Sequence, residues 1–385
     1  MTDAMFDRAV RLTRELIAIR SENPPGAEDT IAGFVADRLH GAGIDARLVP
    51  LEEGRSSVVA RIRGSGDGGS VVLCGHLDTV TTDPAKWARD PFAAEMDDER
   101  IWGLGAADMK AGVAAIVTVG LELVRRGLRS RRDVVLMLTC DEEYGYRGAA
   151  AVAASGAIDD AELVVIAEPT DGRIHVGQKG ELWIAATFTG LEAHGSVPET
   201  GINTVLPAAR LALDLQEAVD ALPAIGGLGR TTLNVGTFHG GRQVNIVPDR
   251  TDVSFDARVV DEAHAERILA FVDETGRALA GAVGAGFEIR VVSYKPPIVS
   301  LIDSPAVREF VAAASQRMSE RPRGDGAITP YSTDAVSIVP VLDVPIVVFG
   351  PGSIAQAHRP NEYVELASLR DALGALWAFV STDAT

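Results

Sequence analysis

The sequence predicts an α/β protein in two parts: a three-layer domain with a largely parallel sheet, and an inserted α+β domain. Three observations carry this. Apolar strand-like runs alternate with helical stretches as far as residue 178. Beyond Gly177 the pattern changes to strands of period-two alternation, such as L-W-I-A-A-T-F-T-G at 182–190. Finally, 385 residues exceed what one ordinary core holds, so two domains are expected.

The elements follow in order. Phe6, Val10 and Ile17 recur near helical spacing, and Asn23-Pro24-Pro25-Gly26 ends that helix in a turn. A second helix spans about Glu28 to Gly41. Residues 56–63 and 70–76 read as strands split by the glycine-rich turn Gly64 to Gly69. A helix from Met109 to about Arg126 is followed by a buried strand, Asp133 to Thr139. Another helix near Tyr146 to Ser155 leads to a strand at 163–167. Such alternation gives a parallel sheet with helices on both faces. In the second part, strands at 182–190, 231–241, 251–259 and 287–294 are interleaved with helices at about Val205–Ala221 and Glu262–Ala280. That strand–helix–strand–strand–helix–strand order predicts a ferredoxin-like antiparallel sheet with two helices on one face. The expected domains are 1–178 with 293–385, and 179–292 inserted. The first resumes with a helix near Ser304 to Ser319.

Composition narrows the classes of function. Hydrophobic residues at 46% and charged residues at 23% are ordinary for a globular chain. The net charge of −18, from 54 acidic and 36 basic residues, disfavours nucleic acid and anionic membranes as partners. No apolar run approaches the roughly 20 residues of a membrane span. Met1 to Arg20 carries Asp7 and Glu15 and does not resemble a secretory signal, so a cytoplasmic location is expected. Cys74 and Cys140 sit inside apolar runs and read as small buried hydrophobes rather than a disulfide.

Five fragments carry metal-type ligands where strands end or helices begin: V-L-C-G-H-L-D (72–78), G-A-A-D-M-K-A-G (105–112), L-T-C-D-E-E (138–143), V-I-A-E-P (165–169) and A-H-R-P-N-E (357–362). Sites in parallel sheets lie beyond the carboxyl ends of strands. A pair of divalent ions needs a bridging carboxylate, with imidazoles and carboxylates from several strands around it. Asp108 is placed to bridge, and could also serve as the N-cap of its helix. His76 and Glu168 could complete one site, Glu143 and His358 the other. Asp78 could hold the His76 ring by a hydrogen bond. Glu142, beside Glu143 but pointing elsewhere, suits a general base. Any one fragment alone would read as surface polarity or a solvated turn. Their conjunction, in order along the chain, points to a two-metal hydrolase.

The motifs G-H-L-D-T-V (75–80), W-G-L-G-A-A-D-M-K-A-G (102–112), T-C-D-E-E-Y-G (139–145), I-A-E-P-T (166–170), A-H-G-S-V-P (193–198) and G-P-G-S-I-A-Q-A-H-R-P-N-E-Y (350–363) carry a resemblance. The chain is similar to the dinuclear zinc hydrolases that include acetylornithine deacetylase, succinyl-diaminopimelate desuccinylase, aminoacylase and glutamate carboxypeptidase. The resemblance implies two Zn2+ per chain, which Co2+ or Mn2+ could replace: His76, Asp108 and Glu168 on one, and Asp108, Glu143 and His358 on the other. It implies Glu142 as base. It also implies that the inserted domain acts as a lid and dimerises, with His194 reaching a neighbouring subunit's site and helping to hold the substrate carbonyl oxygen. Asn245 and Arg258 resemble substrate-contacting positions, with a strand-surface arginine in an ion pair as the competing reading of Arg258. The implied substrate is a small N-acyl amino acid or dipeptide. The segment 350–363 and Y-S-T-D-A (331–335) most resemble the acetylornithine deacetylase branch. A desuccinylase and a dipeptidase or carboxypeptidase are the alternatives.

Overall fold

The structure is a computed structural model that describes residues 1–66, 68–316 and 327–381. The chain divides into two compact units. The first comprises Met1–Gly177, Val299–Thr329 and Thr333–Thr385; the second comprises Gln178–Ile298 with Pro330–Ser332.

The sheet of the first unit has six strands, in the spatial order Ala46–Glu52, Arg55–Ile62, Asp133–Thr139, Ser70–His76, Ala161–Pro169, Ile346–Gly350. The last four are mutually parallel. The first two form an antiparallel hairpin laid against Asp133–Thr139. Successive residues of the central strands alternate between faces, yet both sets are apolar and buried: Leu73 and Leu136 on one side, Val72, Cys74, Val135 and Met137 on the other. The Leu73 face joins the main core with helices Asp3–Ile17, Asp29–His40, Ala111–Arg126, Pro305–Ser315 and Leu366–Ser381. Helices Arg147–Ala154 and Ala335–Leu342 pack on each other outside that cluster, and the former also covers the hairpin, which completes three layers.

The second unit has four antiparallel strands in the order Gly286–Lys295, Gly180–Thr189, Arg250–Val259, Thr232–Gly240. Leu182, Ile184, Ala186 and Phe188 send one face of this sheet into a core with Leu211 and Leu215 of helix Val205–Asp220 and Ile268 and Val272 of helix Glu262–Val283. Phe287 crowds Gly276, where a Cβ would collide with its ring, so helix and strand approach closely.

Some elements escaped the sequence reading. Strand Ala46–Glu52 contains Pro50, which is tolerated at this sheet edge. Helix Ala335–Leu342 contains Pro340. Strand Ile346–Gly350 and helix Leu366–Ser381 complete the C-terminal part. Of the helix expected near 304–319, Pro305–Ser315 is helical, and its end lies outside the described residues. Asp108 is not the N-cap expected of it. The helix starts at Ala111 after a distorted turn at 106–110, in which Asp108 has extended dihedrals (φ −122°, ψ 94°). Cys74 and Cys140 are buried free thiols. Among the described residues no helix is long and apolar enough to cross a membrane.

Candidate metal centre

The carboxyl ends of the parallel strands deliver the expected side chains to one place in the first unit. His76 is the last residue of its strand, Glu168 is the penultimate residue of Ala161–Pro169, and the turn after Asp133–Thr139 carries Glu142 and Glu143. Helix Ala111–Arg126 can approach the Glu168 strand because residue 112 is glycine; a Cβ there would collide with the carbonyl oxygen of Ala167. That approach brings the Asp108 turn against His76 and Glu168. His358 follows the strand Ile346–Gly350, in a left-handed backbone conformation (φ 59°).

Asp108 stands between two imidazoles and gives each a different oxygen. Its Oδ1 is 3.0 Å from His76 Nε2, and its Oδ2 is 3.4 Å from His358 Nε2. Glu168 Oε1 lies 3.6 Å from His76 Nε2, and Glu143 Oε2 lies 3.0 Å from His358 Nε2. Two ligand groups result, His76–Asp108–Glu168 and Asp108–Glu143–His358, each with its donor atoms within 4.8 Å of one another. Glu142 belongs to neither, its Oε2 being 3.9 Å from His76 Nε2. Adjacent glutamates thus face different imidazoles.

The electrostatics suit divalent cations. Burial pushes the carboxyls of Glu142 and Glu168 well above the usual range, and neighbouring negative charges add to this. Glu143 is raised by burial and by the charge of Asp108. Burial opposes protonation of His76, but Glu168, Asp108 and Glu142 reverse it and hold the ring well above its ordinary value. Hydrogen bonds to Asp108 and Glu143 push His358 up to about 10. Asp108 is held low by both imidazoles against the effect of burial. The cluster therefore borrows positive charge from protons. Among the described residues Glu143 Oε1 is buried with no hydrogen-bond partner. Imidazole nitrogens and carboxylate oxygens around a shared carboxylate are a donor set that fits a pair of divalent ions.

Asp78 does a different job from the one expected. The His76 Nδ1 atom is 2.9 Å from the backbone oxygen of Asp78 but 3.6 Å from its carboxylate, too long for a hydrogen bond. The carboxylate instead accepts the backbone N–H groups of Glu142 at 3.2 Å and Glu143 at 3.1 Å. Strand direction explains the swap: the chain leaves the sheet after His76, turning the Asp78 carbonyl, not its side chain, toward the ring.

Glu362 had no role in the sequence reading. Its Oε1 accepts N–H from Ala107 (2.8 Å) and Asp108 (3.0 Å), and its Oε2 accepts N–H from Gly105 (2.9 Å). Burial and the Asp108 charge push its carboxyl up to about 8, against the pull of those amides. The available signal was an acid four residues after His358. Lys110 is also buried, donates to Ile19 O at 2.7 Å, and is lowered by burial to about 7. The amides of Gly350 and Gly352 donate to Thr170 Oγ1 and Ser368 Oγ, which ties the turn 350–353 to the end of the Glu168 strand and to helix Leu366–Ser381.

His194, Asn245 and Arg258 lie in the second unit, each with local partners. His194 Nδ1 is 2.7 Å from Ser196 Oγ and 3.1 Å from the Ser196 backbone nitrogen. Asn245 O accepts the Gly195 N–H at 2.8 Å. Arg258 pairs with Glu181 at 3.2 Å and Asp256 at 2.9 Å, the ion-paired arrangement weighed above.

Residues 72–382 match peptidase family M20/M25/M40. The chain belongs to that family. Similar M20 relatives include a probable succinyl-diaminopimelate desuccinylase of Staphylococcus epidermidis, 28% identical over 388 residues and covering 92% of each chain. An acetylornithine deacetylase of Proteus mirabilis is 29% identical over 383 residues, covering 95% of each. Among solved structures, a tripeptidase from Staphylococcus aureus superposes with a TM-score of 0.82 at 22% identity, covering 98% of both chains. The M20 chain is a metal-dependent amidohydrolase, as the sequence reading expected. These relatives differ in the substrate their names give, so the family leaves the substrate open.

Proposed function

We propose that this M20 enzyme hydrolyses the amide bond of an N-acylated amino acid, most like acetylornithine deacetylase, with two Zn2+ per chain. His76, Asp108 and Glu168 would hold one ion, and Asp108, Glu143 and His358 the other; Co2+ or Mn2+ would suit the same donors. The single observation that carries the reading is the division of labour at residues 142–143. Glu143 faces His358 within a ligand group, while Glu142 stays outside both as a buried carboxyl.

When bound, the ions supply Lewis acidity at the substrate carbonyl and compensate the charge of the carboxylates. Glu142 takes a proton from the attacking water and passes it to the leaving amine. His194 would reach a neighbouring subunit's site and help to hold the developing oxyanion there, and Asn245 would help to seat the substrate. Arg258, engaged by Glu181 and Asp256, is the weaker member of the substrate set. The second unit serves as lid and homodimer contact, and the protein works in the cytoplasm.

A desuccinylase or dipeptidase is the rival reading. The test measures metal content of the purified protein and hydrolysis of N-acetylornithine, N-succinyl-diaminopimelate, other N-acyl amino acids and dipeptides. About two ions per chain with preferred release of acetate supports the proposal. Preferred release of succinate or of free amino acids from dipeptides replaces the substrate, and absence of metal sinks the reading.

A further inference from the structure

We infer that Asn23 is a positioning residue for Glu142 and Glu143, acting on them through Asp78 and Asp141. The inference rests on the metal-centre reading above.

Asn23 lies in the turn between the first two helices, far in sequence from every ligand. Its backbone is fixed against the chain leaving His76: Asn23 N donates to Thr79 O at 2.8 Å, and Thr79 N donates to Ser21 O at 3.0 Å. The side chain is thereby aimed inward and is buried. Its Nδ2 donates to Asp78 Oδ2 at 2.9 Å and to Asp141 Oδ1 at 3.2 Å, so both hydrogens of one amide are used on two buried carboxylates.

One of those carboxylates binds the 141–143 turn from outside it, and the other belongs to its first residue. Asp78 binds the backbone N–H groups of Glu142 and Glu143. Asp141 begins the turn in a left-handed conformation (φ 64°), which an L-residue with a Cβ adopts at a cost of about 1 kcal/mol unless its surroundings hold it there. The surroundings do: Glu28 Oε1 accepts the Asp141 N–H at 3.1 Å, and Arg55 reaches Asp141 Oδ1 at 2.9 Å. Arg147 Nε reaches Asp141 Oδ2 at 2.6 Å. Asn23 is bonded to both of these carboxylates.

The residue type follows from charge. Two buried carboxylates that approach one another repel, and an amide satisfies an oxygen of each without adding charge. Aspartate at this position has nearly the same shape, provides no such donors when ionised, and adds a third negative group. It would drive Asp78 and Asp141 apart and rotate the turn that aims Glu142 at one imidazole and Glu143 at the other.

The experiment compares wild type, Asn23→Asp and Asn23→Ala. Each is stripped with a chelator, titrated with Zn2+ by calorimetry, assayed for kcat and KM on the best substrate of the panel above, and melted. Asn23→Asp is expected to bind one of the two Zn2+ about 10-fold more weakly or worse, and to lose at least about 10-fold in kcat with KM within about twofold. Asn23→Ala is expected between that and wild type. Normal Zn2+ affinity and kcat in folded variants, even with a lowered Tm, overturn the inference and leave Asn23 a stabilising residue only. If Asn23→Asp does not fold, Asn23→Ala decides by the same readouts. Wild type that takes up Zn2+ but hydrolyses nothing overturns the substrate reading alone, and the Zn2+ titration still decides the role of Asn23. Wild type that takes up no Zn2+ overturns the metal-centre reading and this inference with it.

Discussion

Glu362 Oε1 accepts the backbone N–H of Asp108 at 3.0 Å, so one buried carboxylate holds in place the residue that stands between both imidazoles. Its three amide contacts span 105–108 and substitute for a helix cap on a turn that has none of its own. Glu362→Gln keeps the size but replaces one acceptor oxygen with an NH2 that faces a backbone N–H. The expected result is about 1–3 kcal/mol lower stability by urea unfolding and roughly 10-fold weaker Zn2+ binding by titration. Unchanged Zn2+ affinity would mean that the turn holds itself.

Glu142 is the group whose removal should separate binding from turnover. Glu142→Gln is expected to retain the metal content of wild type while kcat falls by about 10²–10⁴. Metal analysis alongside steady-state kinetics checks this. Wild-type turnover in that variant would assign the proton transfers to another group.

Gly112 sets how closely helix Ala111–Arg126 lies on the Glu168 strand. Gly112→Ala meets backbone, which cannot rotate away. A loss of about 1–3 kcal/mol is expected from overpacking, with weaker metal uptake because Asp108 and Glu168 move apart. A melt at matched Zn2+ concentrations reads both effects, and a Tm equal to that of wild type would contradict the close packing.

Acid stability should report on Glu122, remote from the metal centre. Its side chain is 1% exposed and meets Arg8, Arg125 and Arg126. The hydrogen bond from Arg125 leads in holding its carboxyl down to about 2, against the effect of burial, with Arg126 and Arg8 adding to it. A carboxyl depressed on folding stabilises above its unfolded pKa, here the ordinary 4.5, and that contribution is lost as pH falls through about 2. Arg8 and Arg125 are partly in solvent, so the contribution at pH 7 is on the order of 1–2 kcal/mol. Glu122→Gln should cost that much in urea unfolding at pH 7 and progressively less below pH 4. An equal cost at both pH values would assign the loss to packing.

The residues proposed as metal ligands were legible because most sit where an apolar run stops, and a parallel sheet gathers such stops along one edge. His76, Glu143 and Glu168 announce themselves in this way. The residues that hold them do not. Asp78 was read as a partner of the His76 ring, yet it grips the next strand's turn, a contact set by where the chain bends after the sheet. Asn23 and Glu362 act on residues 55 to 257 positions away, and nothing local in Asn-Pro-Pro or Pro-Asn-Glu specifies which backbone or carboxylate they will meet. The edge strand Ala46–Glu52 was hidden by Pro50, a residue that marks a breaker in most contexts and is harmless where a strand has only one neighbour.

The order in which the ligands occur has a consequence for biosynthesis. His76, Asp108, Glu143 and Glu168 emerge from the ribosome within one stretch of chain, but His358 follows only after the whole second unit has been synthesised. A chain ending before His358 would hold every donor of one candidate group, His76, Asp108 and Glu168, and would lack the imidazole of the other. In the proposed centre, one group is complete in the chain before the inserted unit and the other depends on a residue made after it.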